Sequence, residues 1–123
     1  MERKKILLVD DSATVLLMER MILAKSQYDI VEARDGQDGV EKALAEKPDL
    51  ILMDVVMPRM NGFEAVRRLR EQEATRTIPV IMVTTRGELE SVESGYASGC
   101  SEYITKPIDG LELLTKVRSC LGQ

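Results

Sequence analysis

Four places in this 123-residue sequence put chemically capable polar side chains directly after a short apolar run. Ile6-Leu7-Leu8-Val9 leads into Asp10-Asp11, and Leu50-Ile51-Leu52-Met53 into Asp54. Val80-Ile81-Met82-Val83 leads into Thr84-Thr85, and Tyr103-Ile104-Thr105 into Lys106-Pro107. If these ends meet, three carboxylates share a site, and their repulsion raises a pKa unless a cation sits among them. Lys106 supplies one cation. A hard divalent ion, Mg²⁺ first, is the natural second, because it takes oxygen ligands and is often held by one or two carboxylates plus waters and phosphate oxygens. A carboxylate beside Mg²⁺, a lysine and a threonine hydroxyl is a nucleophile for phosphoryl transfer. It attacks to give an acyl phosphate while the cations neutralise the oxygens of the transferring group.

Composition removes other chemistries. The chain has no histidine, hence no Ser-His or Cys-His nucleophile, no imidazole base and no imidazole metal ligand. Seventeen Lys and Arg against 21 Asp and Glu leave a net charge of −4, a poor balance for direct nucleic-acid binding. Only Tyr28, Phe63, Tyr96 and Tyr103 are aromatic, too few for a base-stacking platform. Cys100 and Cys120 cannot make a four-thiolate zinc site, and they read as small hydrophobes in a reducing cytoplasm. The apolar run after Met-Glu-Arg-Lys-Lys is too short for a signal-peptide core or a membrane span. A cytoplasmic protein of one domain, residues 1–123, is the expectation.

The elements that must position these residues are legible as an alternation. The four runs above and Tyr28 to Ala33 read as five strands. Three of them are continuously apolar, as strands buried on both faces of a parallel sheet are. Helix candidates lie between. Asp11 or Ser12 caps the first, with Val15, Leu16, Met18 and Ile22 as its stripe. Asp35-Gly36 opens the second, with Val40, Ala43 and Leu44, and Pro48 stops it. Asn61-Gly62 opens the third, with Phe63, Val66 and Leu69. A fourth runs from about Gly87 to Ser98, and Asp109 caps a fifth with Leu113, Leu114, Val117 and Leu121. Strict alternation implies an α/β fold, an open doubly wound parallel sheet with right-handed crossovers. Ligands of such sheets bind beyond the carboxyl ends of the strands, where all four polar sets fall. Each set also has a purely structural reading: Asp-Asp-Ser as an N-cap, Asp54 as a turn residue, Thr84-Thr85 as strand-end residues, Lys106 as a solvated charge. The coincidence of four sets at matching strand ends favours a site.

The ordered set Leu-Leu-Val-Asp10-Asp11-Ser, Leu-Ile-Leu-Met-Asp54-Val-Val-Met-Pro58-Arg-Met-Asn-Gly62, Ile-Met-Val-Thr84 and Tyr103-Ile-Thr-Lys106-Pro107 resembles the receiver domain of two-component response regulators over essentially the whole chain. The resemblance implies a flavodoxin-like (βα)5 fold with strand order 2-1-3-4-5. It implies that Asp54 accepts a phosphoryl group from a partner histidine kinase. Asp11 and Asp54 are then direct Mg²⁺ ligands, with Asp10 acting largely through water and the Val56 carbonyl completing the set. Lys106 pairs with the acceptor and then with the phosphoryl group. Thr84 is the switch hydroxyl, Tyr103 the switch aromatic, and the Lys106-Pro107 bond is cis. The chain is then a signalling phosphoacceptor that catalyses only its own phosphoryl transfer and dephosphorylation. It has no nucleic-acid or membrane partner, and acts as a monomer or a weak phosphorylation-dependent dimer.

Phosphorylation adds about −1.5 to −2 charges and three acceptor oxygens. Thr84 gains a charge-assisted partner, and the space it leaves accepts Tyr103. The fourth helix candidate carries Gly95, ends at Gly99 and contains Ser91, Ser94 and Ser98, poor helix formers that suit an element with two positions. The expected output face is therefore the fourth helix, the fifth strand and the fifth helix, where a target protein such as a motility or chemotaxis component docks. Val56, Thr85 and Arg86 are the expected neighbours of the phosphoryl group. An apolar Val56 cannot orient an attacking water, so a slowly hydrolysing acyl phosphate is expected. A small-molecule phosphatase built on the same strand-three aspartate fits less well, because the position two residues on holds valine rather than a second carboxylate. A nucleotide or flavin module is also poorer, since neither a G-x-G-x-x-G nor a Walker A sequence follows any strand.

Overall fold

Alternation along each strand decides which polar residues meet at the edge of the sheet. The protein is represented by a computed structural model that describes residues 3–84 and 99–123. The strands are β1 (Lys5–Val9), β2 (Asp29–Ala33), β3 (Leu50–Asp54), β4 (Val80–Thr84) and β5 (Glu102–Thr105). All neighbouring pairs are parallel, in the order β2-β1-β3-β4-β5. Between them run α1 (Ala13–Leu23), a 3-10 turn (Ala24–Ser26), α2 (Gly36–Glu46) and α3 (Gly62–Glu71), with a last helix at Gly110–Cys120. This is the expected flavodoxin-like sheet. The fourth helix candidate, Gly87 to Ser98, lies outside the described residues, as do Thr85 and Arg86.

Each helix begins where a polar side chain takes up a backbone N–H that the helix itself leaves unpaired. Ser12 accepts from Val15, Asp35 from Asp38, Asn61 from Glu64, and Asp109 from Leu111 and Glu112. Ser12, rather than Asp11, is the cap of α1. Lys47 ends α2 in the left-handed region, immediately before Pro48.

The sheet separates two apolar layers. Ile6, Leu8, Leu50, Leu52, Ile81, Val83 and Ile104 pack against Leu16 and Leu23 of α1 and Leu113 and Val117 of the last helix. Leu7, Val9, Ile51, Met53, Val80 and Met82 pack against Val40, Ala43, Ala65, Val66 and Leu69 of α2 and α3. One helix departs from its sequence pattern. Leu16 and Leu23, two turns apart, define the buried face of α1, and Glu19 lies between them on that face. Of the predicted stripe, Met18 is exposed and Val15 and Ile22 are only half-buried. The predicted stripe of Val15, Leu16, Met18 and Ile22 is therefore right at Leu16, partly right at Val15 and Ile22, and wrong at Met18, because the face the sheet covers is turned toward Glu19 and Leu23.

The loop after β3 closes against two helix starts. Gly62 donates its N–H to the Val55 carbonyl at 2.8 Å, and a Cβ at Gly62 would stand 2.2 Å from the Asp54 carbonyl oxygen. A Cβ at Gly36 would meet the Met60 carbonyl oxygen at the same 2.2 Å. The expected result for Gly62→Ala is a loss of about 1–3 kcal/mol of stability, because backbone rather than a flexible side chain must give way. Urea unfolding of the variant against wild type measures it.

Candidate functional site

The strand parity that builds the layers continues past the strand ends. Asp10 follows Ile6 and Leu8, Asp54 follows Leu50 and Leu52, and Lys106 follows Ile104. All three therefore rise on the face covered by α1 and the last helix. Lys106 Nζ lies 3.2 Å from Asp54 Oδ1 and 3.4 Å from Asp10 Oδ2. Asp10 is 1% exposed and Asp54 5%. Asp10 also accepts the Ser12 N–H at 2.8 Å, which fixes its second oxygen at the start of α1. Asp11 is exposed. Carboxylate oxygens of Asp10, Asp11 and Asp54 all lie within 4.8 Å of one another.

The charge balance is unfavourable to the acids. Burial, then the Asp10 charge, pushes the Asp54 carboxyl up to about 6, against the opposing pull of Lys106. Burial draws Lys106 down, but Asp54 and Asp10 outweigh it and hold the ammonium above its usual range. A further acid belongs to this neighbourhood. Burial and the Asp10 charge push Glu19 up to about 8.

The remaining sequence candidates sit around this cluster. Thr84 is buried at the end of β4, and its carbonyl accepts the Lys106 N–H at 2.6 Å. By register Thr84 pairs with Thr105 and shares the parity of Met82, on the α2 and α3 side of the sheet. Tyr103 lies on that same side, half-buried against the second layer. Lys116 stands 5.4 Å over its ring and donates to its carbonyl at 2.7 Å. The carboxylates and Tyr103 are thus on opposite faces, with Thr84 at the shared edge. Val56 is 60% exposed in the loop after β3. The Lys106–Pro107 peptide is cis.

Three partners were not anticipated from sequence. Glu19 gave no signal except its place between Leu16 and Leu23. Arg59, in the left-handed region at φ 67°, forms an ion pair with buried Asp35, tying the β3 loop to the start of α2. Lys116 covers Tyr103 because the last helix crosses β5, a contact between segments that spacing does not reveal.

An open parallel sheet with an acidic cluster and a bridging lysine at its carboxyl edge defines a class: a flavodoxin-like α/β domain with three carboxylates that could hold a metal ion. The chain belongs to the response regulator receiver domain family, whose model matches residues 6–118. It is 42% identical over 118 residues to the protein PilH of Pseudomonas aeruginosa, covering 96% of this chain and 98% of PilH. It spans about half the length, 48%, of two other curated relatives, both transcriptional regulators. Among solved structures it resembles the chemotaxis protein CheY4 of Vibrio cholerae, at a TM-score of 0.90 and 33% identity over 98% of this chain and 100% of that one. It also resembles the receiver domain of the sensor histidine kinase PA1611 from Pseudomonas aeruginosa, solved with a magnesium ion coordinated in its active site cleft. There the TM-score is 0.91, with 29% identity over 99% of this chain and 100% of that one. Among the described residues, no helix is long and apolar enough to cross a membrane.

Because Asp54 and Glu19 hold protons more tightly folded than unfolded, metal-free protein is stabilised at low pH. That stabilisation is complete below the ordinary carboxylate values of 3.8 and 4.5, and is lost as pH rises through about 6 for Asp54 and about 8 for Glu19. In EDTA, Asp54→Asn is expected to be more stable than wild type by about 2 kcal/mol near pH 7. Below about pH 4 the two are expected to be equal. Chemical denaturation across this pH range checks it.

Proposed function

We propose that this chain is a phosphorylation-dependent signalling switch of a two-component system, a single receiver domain over residues 1–123 in which Asp54 takes a phosphoryl group from a partner histidine kinase. The observation that carries the reading is Lys106 Nζ held between the buried Asp54 and Asp10 carboxylates. Three oxygen donors converging within 4.8 Å suit a hard divalent ion. Burial, and then the Asp10 charge, raise the Asp54 carboxyl against the pull of the single lysine. Mg²⁺ bound here supplies positive charge to the oxygens of the transferring phosphoryl group.

The chain's own residues do the rest. An Asp54 carboxylate oxygen attacks phosphorus. The new O–P bond forms as the P–N bond to the kinase imidazole breaks, and the imidazole leaves with the electron pair. Asp11 and Asp54 are the direct ligands in this reading, with the Val56 carbonyl, and Asp10 acts largely through water. Lys106 transfers its contact from the Asp54 carboxylate to the phosphoryl oxygens. Thr84 lies at the edge where it can turn its hydroxyl to the same group, with Thr85 and Arg86 beside it. Tyr103 then moves on the opposite face, and the surface of the fourth helix candidate, β5 and the last helix exchanges its target. The chain acts on no separate substrate. Its monomeric or weakly dimeric state follows the phosphoryl group. The two free cysteines, Cys100 buried and Cys120 half-buried, suit a reducing cytoplasm.

Incubating the full chain with Mg²⁺ and a small acyl-phosphate donor should add the mass of one phosphoryl group, mapped by peptide analysis to Asp54. Asp54→Asn should take up none, and uptake equal to wild type would overturn the assignment. Exposed, apolar Val56 offers no hydrogen bond to an attacking water, so the acyl phosphate should be long-lived. Val56→Asn is expected to shorten its lifetime roughly tenfold, read as loss of label from purified protein.

A further inference from the structure

Among the described residues, Glu19 Oε1 is the buried side-chain oxygen without a hydrogen-bond partner, in a residue only 1% exposed. Leaving such a group unpaired costs about 1–3 kcal/mol, which a leucine between Leu16 and Leu23 would avoid. The position of the carboxyl is informative. The first residue of α1, Ala13, comes shortly after Asp10 and Asp11, so the N-terminal end of the helix stands at the acidic edge of the sheet. Helical side chains lean toward the N-terminus of their helix. Glu19, on the inner face, therefore leans up the layer toward Asp10, Asp54 and Lys106. The charges acting on it come from those three, at the ends of β1, β3 and β5, and then from Glu32 of β2. Glu32 is already engaged by Arg20 of α1. Glu19 does not join the group of carboxylates that converge within 4.8 Å, namely Asp10, Asp11 and Asp54.

We propose that Glu19 is an outer-sphere acceptor of the metal site, taking a hydrogen bond from a water carried by the divalent cation that Asp10, Asp11 and Asp54 hold. The inference rests on reading that edge as a Mg²⁺ site. Mg²⁺ keeps several of its waters when bound. Groups behind the direct ligands orient those ligands and waters and strengthen binding. A carboxyl oxygen with no protein donor, buried beside the ligands, has the chemistry to receive such a water, and the bound water removes the cost of leaving it unpaired.

The test is calorimetric titration of Mg²⁺ into the full chain, without any phosphodonor, for wild type, Glu19→Met and Glu19→Leu, with thermal unfolding of each in EDTA. Both variants are expected to bind Mg²⁺ about tenfold more weakly. Glu19→Leu is expected to be the more stable protein in EDTA and to gain less from added Mg²⁺. A Kd in folded Glu19→Leu equal to that of wild type overturns the proposal, and Glu19→Met, of similar length but without an acceptor oxygen, is read in the same way should the leucine variant fail to fold. Weakened binding in a protein that accepts no phosphate at Asp54 would sink the functional reading and leave Glu19 in its place. Unchanged binding with phosphate accepted at Asp54 would do the reverse.

Discussion

Everything at the carboxyl edge of this sheet depends on one lysine shared between two buried carboxylates. Asp10 and Asp54 are almost wholly removed from water, and removing an isolated carboxylate from water is costly unless an opposite charge and hydrogen bonds replace the hydration. Lys106 provides that charge to both, at 3.4 and 3.2 Å. One ammonium does not balance two buried acids, with Asp11 and Glu19 close by. Burial first, and the Asp10 charge second, raise the Asp54 and Glu19 carboxyls, and Lys106 offsets this only in part. The carboxylate oxygens of Asp10, Asp11 and Asp54 lie within 4.8 Å of one another beside this single ammonium.

The deficit is held in place by the backbone. Asp10 ends β1 and is tied through the Ser12 N–H to the start of α1. Asp54 ends β3, and Gly62 closes the loop behind it by approaching its carbonyl too nearly for any side chain. Arg59 adopts a backbone conformation unusual for a side chain larger than glycine, and its ion pair with Asp35 anchors that loop to α2. Asp10 and Asp54 thus stand at the ends of different strands, each tied to the helix start beside it.

The two faces of the sheet divide the labour. The face under α1 and the last helix holds the charges. The opposite face holds Tyr103, covered by Lys116. Thr84 stands at the end of the strand between them, bonded through its carbonyl to the N–H of Lys106. β4 joins the two, pairing in register with β3 at Asp54 and with β5 at Tyr103.

The alternation of apolar runs and helical stripes was enough to identify a parallel α/β sheet, since strands buried on both faces must be continuously apolar. It was also enough to bring Asp10, Asp11, Asp54 and Lys106 to one edge, since parallel strands share their carboxyl ends. Strand order was different. It entered through the ordered motifs that resemble a family, because nothing in an apolar run states its neighbour. Only the tertiary structure decided which way α1 turns. The stripe of Val15, Leu16, Met18 and Ile22 placed Leu16 correctly, but packing of Leu16 with Leu23 on the sheet turned the buried face away from Met18 and carried Glu19 inside. A charged residue reads as exposed in sequence, and its burial depends on which face the sheet covers. The same holds for Arg59 with Asp35 and Lys116 with Tyr103, whose contacts join segments far apart along the chain. Local spacing sets what each element is made of, and only packing sets which of its residues meet.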